Sequence, residues 1–189
     1  MDMATVVKVE FEGFAETDAL FRQIQNDYGQ KDASNIMRNA VRQSMKPVLD
    51  TARAISPKDT GGLAASLQIE TRIPSRKDKN SKYILASDAV IGLITTASGK
   101  KLSKRKFTNL QTGEQQSFTT INKTVKGKEV ISNDQRATAM EFGTSKVPSK
   151  PFLRPALENS SAKAAGSLGQ ALKVSLEKYK AKQAKRVKL

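Results

Sequence analysis

Between Ile36 and Ile55 the apolar residues Ile36, Met37, Ala40, Val41, Met45, Val48, Leu49, Ala52 and Ile55 recur every three or four positions, with Arg38, Arg42, Lys46 and Arg53 on the opposite face. That period belongs to an amphipathic helix over Lys31 to Ile55 and excludes an all-β fold. Pro47 lies inside the pattern. It lacks a backbone donor and its ring crowds the preceding turn, so the sequence predicts a kink or a break into two helices there. Ser56-Pro57 ends the segment.

A second stripe runs through Leu157, Ala164, Ala165, Leu168, Leu172, Leu176 and Tyr179, and predicts a long helix from about Pro155 to Ala184. Gly166 and Gly169 within it mark close packing or a bend, and the basic end KYKAKQAKRVKL loses the stripe and is expected to fray. Shorter elements lie around these two. Thr5 to Phe11 alternates apolar and charged residues as a half-buried strand does, and Ala15 to Asp27 reads as a short helix closed by Tyr28-Gly29. Leu63, Ser66, Leu67 and Ile69 lead into a strand, Pro74 to Lys82 forms a polar hairpin loop, and Tyr83 to Thr96 returns as a strand, either continuous or broken by a turn at Ser87-Asp88.

Residues 98–134 differ from their surroundings. They run as GKKLSKRKF, a Thr/Gln/Ser-rich middle and INKTVKGKEV, and two weakly alternating stretches, Lys106 to Leu110 and Gln116 to Val125, flank Thr112-Gly113-Glu114, a pattern that predicts an extended β-hairpin arm. The whole reads as one α+β domain over residues 1–189. A small, mostly antiparallel sheet packs on a long helix from the N-terminal half and on a C-terminal helix. The core covers about 1–97 and 135–180, the basic arm about 98–134, and a basic tail about 180–189.

Chemistry is narrowed by what is missing. The chain contains no His and no Cys, which removes the commonest neutral-pH base, the Ser/His/Asp and Cys/His triads and the usual zinc ligand sets. Gly61-Gly62 lacks the lysine of a phosphate-binding glycine loop, and no run of eighteen apolar residues offers a membrane span. The N-terminal MDMATVVKVEFEGF carries acids where an export signal needs bases. Asp59-Thr60-Gly61 matches the aspartic protease triplet but follows a helix-ending Ser-Pro, where turn capping is the better reading. No enzyme activity, cofactor or metal is expected.

Charge is the strongest compositional signal, with 33 Lys and Arg against 18 Asp and Glu, a formal +15. Residues 1–30 hold two bases and six acids, whereas 135–189 hold twelve bases and three acids. Such polarity fits a polyanionic partner or head-to-tail packing of identical subunits. Lys100, Lys101, Lys104, Arg105, Lys106, Lys123, Lys126 and Lys128 in the arm are candidate contacts with DNA or a neighbouring subunit, and Lys178, Lys180, Lys182, Lys185, Arg186 and Lys188 make the tail a further basic cluster.

Three segments in order, DTGGLAASL at 59–67, AMEFGT at 139–144 and KPFLRPAL at 150–157, resemble the tail-component (neck or tail-completion) family of long, non-contractile-tailed double-stranded DNA bacteriophages. The residues carrying the resemblance are Asp59, Thr60, Gly61, Leu63, Ser66, Glu141, Phe142, Gly143, Thr144, Pro151, Phe152, Leu153, Arg154 and Pro155. It implies a non-enzymatic virion protein, assembled in the host cytoplasm, that forms a hexameric or dodecameric ring. The implied partners are a tail terminator or tail tube protein, the head connector (stopper or adaptor) and, without base specificity, the packaged DNA. On that plan Pro151 and Pro155 pre-set a helix entry, Phe152 and Leu153 anchor it, and Glu141 forms a bidentate pair with the Arg154 guanidinium. The alternative is a non-specific nucleic-acid-binding protein that uses the basic arm and tail.

Overall fold

The computed structural model describes residues 14–79, 84, 90–118, 122–125, 128–131 and 136–187; the strand expected over Thr5 to Phe11 lies outside them. The architecture is α+β, as the periodicities predict. Two compact units are present, each assembled from separated stretches of chain. One comprises Met1–Pro47, Glu70–Leu93 and Ser160–Leu189, the other Val48–Ile69 and Ile94–Asn159.

Helix α1 spans Phe14–Ser44 and turns sharply at Gly29 (φ 77°, ψ 162°), so the short helix and the start of the long one predicted from the sequence are its two halves. Helix α2 is Lys46–Ile55, which resolves the Pro47 question in favour of a break. Pro47 sits in the first turn of α2, where no intrahelical partner exists for an N–H. The end of α1 is closed by the Ser44 hydroxyl, which donates to the Val41 carbonyl at 3.0 Å.

Helix α3 (Gly62–Ser66) runs into strand β1 (Leu67–Arg72); helix α4 (Arg76–Lys79), strand β2 (Ile91–Thr96) and helix α5 (Gly99–Leu102) follow. Among the described residues β1 and β2 pair as a two-stranded sheet. The basic segment forms two antiparallel hairpins, β3 (Lys106–Thr108) with β4 (Gln115–Ser117) and β5 (Asn122–Val125) with β6 (Lys128–Ile131). Helices α6 (Arg136–Phe142), α7 (Leu153–Gly166) and α8 (Leu168–Val187) complete the chain.

In the first unit α1 packs along α8. Phe21, Ile24, Ala33, Ile36 and Ala40 are buried against Ala171 and Leu172, and the rings of Tyr28 and Tyr179 meet edge to face at 5.4 Å. Alanine at the contact lets the helix axes approach while the larger residues interdigitate on either side. Gly92 of β2 is equally tight: a Cβ there would fall 2.7 Å from Val41 Cγ1. The break between α7 and α8 at Ser167 follows Gly166, whose Cβ position meets nothing within 4 Å. Of the two roles open to that glycine, bend and close packing, the structure has the bend. Helix α8 is regular to Val187 instead of fraying, consistent with the strong helix propensity of Lys, Gln and Ala in this stretch.

The second unit buries Leu49, Ala52, Leu63, Leu67, Ala137, Phe152 and Ala156 in one cluster, with Ile69, Ile94, Met140 and Leu153 packed around it. Arg53 lies on the polar face of α2 and donates from Nη2 to the Leu67 carbonyl at 2.9 Å, tying α2 to the start of β1.

The polar loop predicted after β1 holds α4, and its start is a reciprocal cap. Ser75 N–H donates to Asp78 Oδ2 at 2.7 Å, and the Asp78 N–H donates back to Ser75 Oγ at 3.4 Å. The Arg72 guanidinium grips both carboxylate oxygens of Asp78, with Nη2 to Oδ1 at 2.8 Å. The bonds from Arg72, then those from Ser75, hold the Asp78 carboxyl well below the usual carboxylate range. Because its folded-state value is depressed, the stabilisation is present above the ordinary carboxylate value and is lost as pH falls through the folded one. Asp78→Asn is therefore expected to flatten the acid limb of the stability profile below about pH 4, read by thermal melts across pH; an unchanged acid limb would count against this cap.

Candidate functional site

The segment from α6 to α7 is a helix-to-helix junction whose polar backbone groups are closed by its own residues. Gly143 ends α6 in the left-handed region (φ 78°), its N–H donating to the Ala139 carbonyl at 2.8 Å. A Cβ there would fall 3.0 Å from the Ser149 nitrogen and 3.1 Å from the Val147 oxygen, so both conformation and space require glycine. Thr144 then organises the turn. Its N–H donates to the Val147 carbonyl at 2.8 Å, and its hydroxyl accepts from the Val147 N–H at 3.0 Å and the Lys146 N–H at 3.3 Å. Lys150 N–H returns to the Met140 carbonyl at 2.7 Å, which brings the chain back beside α6.

Glu141 completes the junction. It is 8% exposed, and its Oε2 accepts from the N–H groups of Phe152 at 2.8 Å and Leu153 at 2.9 Å, while Oε1 accepts from the Arg154 N–H at 3.2 Å. The next residue is Pro155, which has no N–H, and the Ala156 N–H already makes the first helical bond, to the Phe152 carbonyl at 3.1 Å. Every amide at the start of α7 is thereby satisfied, and the carboxylate sits at the positive end of the helix dipole. This corrects the expected ion pair: Glu141 bonds the Arg154 backbone, and the Arg154 side chain is exposed. A buried carboxylate facing several open N–H donors gains more from them than from one flexible guanidinium in water. Phe152, 1% exposed, is the anchor, and Leu153 packs at the edge of the same core.

The Asp59–Ser66 segment is a second closed piece. Gly61 (φ 81°) caps α3 without a side-chain hydrogen bond, and the Thr60 hydroxyl accepts from the Gly62 N–H at 3.4 Å. Asp59 is exposed and its Oδ1 accepts from Gln111 Nε2 at 2.6 Å, so the predicted capping falls to Thr60 and Gly61. Leu63 enters the core; the buried Ser66 donates to the Leu63 carbonyl at 2.7 Å, and its own carbonyl accepts from Ala97 at 2.8 Å. The β3–β4 turn rests on this loop: Leu110 N–H donates to the Thr60 carbonyl at 3.2 Å, and the Leu110 side chain lies 3.0 Å from the Cβ position of Gly61. Asn109 holds that turn by accepting the Gln111 N–H on Oδ1 at 2.8 Å.

Of the basic residues predicted to make contacts, Lys100, Lys101, Lys104 and Lys106 are exposed. Arg105 is half-buried and committed inward, to the Ala65 carbonyl at 3.4 Å and Gln68 Oε1 at 3.3 Å. Lys123 and Lys128 lie on β5 and β6, and Lys126 falls outside the described residues.

The structure adds a site that the motif reading passed over. In the first unit, Asp32, Asn35, Arg38, Asn39, Arg42 and Gln43 of α1 face Ser175, Lys178, Tyr179 and Lys182 of α8 across an open cleft of about 760 Å³. Arg38 Nε donates to the Thr71 carbonyl at 3.2 Å and Arg42 Nη2 to the Thr71 hydroxyl at 3.1 Å, which fixes both guanidinium groups at the wall. Gln43 Nε2 donates to Ser175 Oγ at 3.0 Å at the floor. The signal was in the sequence as two cation pairs at i, i+4, Arg38/Arg42 and Lys178/Lys182, each on one helix face. What the sequence does not reveal is that the two faces meet. Among the described residues, no cluster of His, Cys, Asp or Glu is arranged to hold a metal ion.

Comparison of the chain with protein-family models, curated proteins and solved structures returns no match.

Removal of the Glu141 carboxylate leaves three helix-start amides without their acceptor. Glu141→Ala is expected to destabilise the protein by about 2–3 kcal/mol, with Glu141→Gln intermediate because an amide retains one acceptor oxygen. Arg154→Ala is expected to lie within about 0.5 kcal/mol of the parent. Chemical denaturation of the three variants checks the order; equal losses for Glu141→Ala and Arg154→Ala would restore the ion pair.

Proposed function

We propose that this protein is a non-enzymatic structural component of a long-tailed phage particle, a neck or tail-completion subunit. In this reading it forms a ring that completes the tail and joins it to the head connector around the DNA channel. It is made in the host cytoplasm and ends in the virion. The observation that carries the reading is the use made of the motif residues that resemble the family. Glu141, Gly143, Thr144 and Phe152 are spent on holding two helices at a fixed junction, which is what an assembly subunit needs and a catalytic site does not.

The same junction leaves large apolar side chains in solvent. Phe142 is 71% exposed, Leu157 49% and Val147 45%, all between α6 and the first turns of α7. Exposed apolar groups of this size on a rigid element are the usual anchors of a protein interface. Ring contacts with neighbouring copies, and contacts with a tail terminator, tail tube or head connector protein, use such anchors. Among the described residues no helix is long and apolar enough to cross a membrane.

A second reading, a nucleic-acid-coating protein outside any particle, draws support from the exposed Lys100, Lys101, Lys104 and Lys106. Light scattering on the purified full chain separates the two. A discrete ring, alone or with a tail-terminator protein and persisting at high salt, is expected. Phe142→Ser with Leu157→Ser is expected to abolish it without lowering the melting temperature, since both residues are exposed. A monomer that ignores the partner and binds plain duplex DNA would move the assignment to the second reading.

A further inference from the structure

We infer that the cleft between α1 and α8 is a binding site for the phosphodiester backbone of nucleic acid, engaged without regard to base sequence. The cleft contains four cations, Arg38, Arg42, Lys178 and Lys182, against one carboxylate, Asp32. Cations gathered on facing walls repel one another, and a polyanion laid between them removes that repulsion. Each guanidinium carries five N–H donors, and the contact to Thr71 engages one on Arg38 and one on Arg42, so the group is oriented while donors remain for phosphate oxygens. Thr71 is itself 2% exposed, which makes it a rigid support.

The rest of the lining points to the same class of ligand. Asn35 and Asn39, both exposed, supply neutral hydrogen-bonding groups of the kind that contact phosphate and sugar oxygens, Gln43 and Ser175 close the floor through their own hydrogen bond, and Ile36 is the one aliphatic side chain in the lining. An acidic polypeptide would need apolar subsites for the residues between its carboxylates, and this wall has almost none. Along each helix the paired cations stand about 6 Å apart, so the cleft presents two parallel rows of charge to an extended ligand. The exposed Lys100 and Lys101 of α5 belong to the other unit.

The test uses the full-length protein and a fluorescent duplex of arbitrary sequence, titrated across a range of salt concentrations by anisotropy. Lys178→Gln/Lys182→Gln removes two exposed charges that hold no core contact, so folding is preserved and checked by its melt. It is expected to weaken binding at least tenfold at low salt and to reduce the slope of log K against log salt by about 2. Asn39→Asp, which places a carboxylate in the cleft, is expected to weaken binding in the same direction; Lys100→Gln/Lys101→Gln/Lys104→Gln is expected to leave the cleft's share of the slope in place. Three results would overturn the inference: no duplex binding at low salt, a Lys178/Lys182 variant with the parental slope, or displacement of the duplex by poly-glutamate as effectively as by unlabelled DNA. Ring formation, scored separately by light scattering, neither supports nor sinks it.

Discussion

The architecture of the second unit depends on one buried carboxylate. Helix α7 begins inside a polar turn, and its first amides point toward α6 with no intrahelical acceptor. Glu141 supplies both oxygens to them, and the proline at the third helical position removes the one donor that would remain. Once that bond set is made, Phe152 is delivered into the core beside Leu67 and Ala137, and the turn through Gly143 and Thr144 has little freedom left. Hydrogen bonds to an ionised acceptor are stronger than neutral ones, and three on one group justify burying a charge that would otherwise cost several kcal/mol.

The first unit is held on a different principle. Its α1–α8 interface combines small residues at the closest approach with Ile24, Ile36 and Leu172 interlocked beside them, and its polar groups lie at the margin, where Arg38 and Arg42 reach Thr71. Apolar packing of this kind tolerates charge on the outer faces of the same helices. Ala33 and Ala40 are tied to that packing, while the cations of the same helices stand at its margin.

The two helical stripes, the break at Pro47 and the helix start at PFLRPA were legible because each rests on local rules: period, proline geometry and glycine conformation. Gly166 was legible only as a choice between bend and close packing, since a sequence carries no record of what stands opposite a Cβ. The Glu141–Arg154 pair failed for a related reason. Opposite charges thirteen residues apart invite an ion pair, but the competing partner, a set of bare amides at a helix start, carries no charge and leaves no mark in composition. The hairpin in the basic segment was visible from its Thr-Gly-Glu turn, whereas its seat on the Thr60–Gly61 loop was not, because that contact runs through a backbone carbonyl. All four cations of the cleft stand in the sequence as two i, i+4 rows, but nothing local says that the rows face each other.

Neither unit is a continuous stretch of chain, and this bears on the order in which they can form. The bond from Gln43 to Ser175 closes 132 residues of sequence, and the core of the first unit needs both α1 and α8. During synthesis, α1 therefore leaves the ribosome with its apolar face uncovered and waits for α8, while the residues of the second unit, lying wholly in between, have all been made. Non-local closure of that length is slow relative to helix formation. The second unit has what it needs to condense first, and the burial of α1's apolar face has to wait for α8.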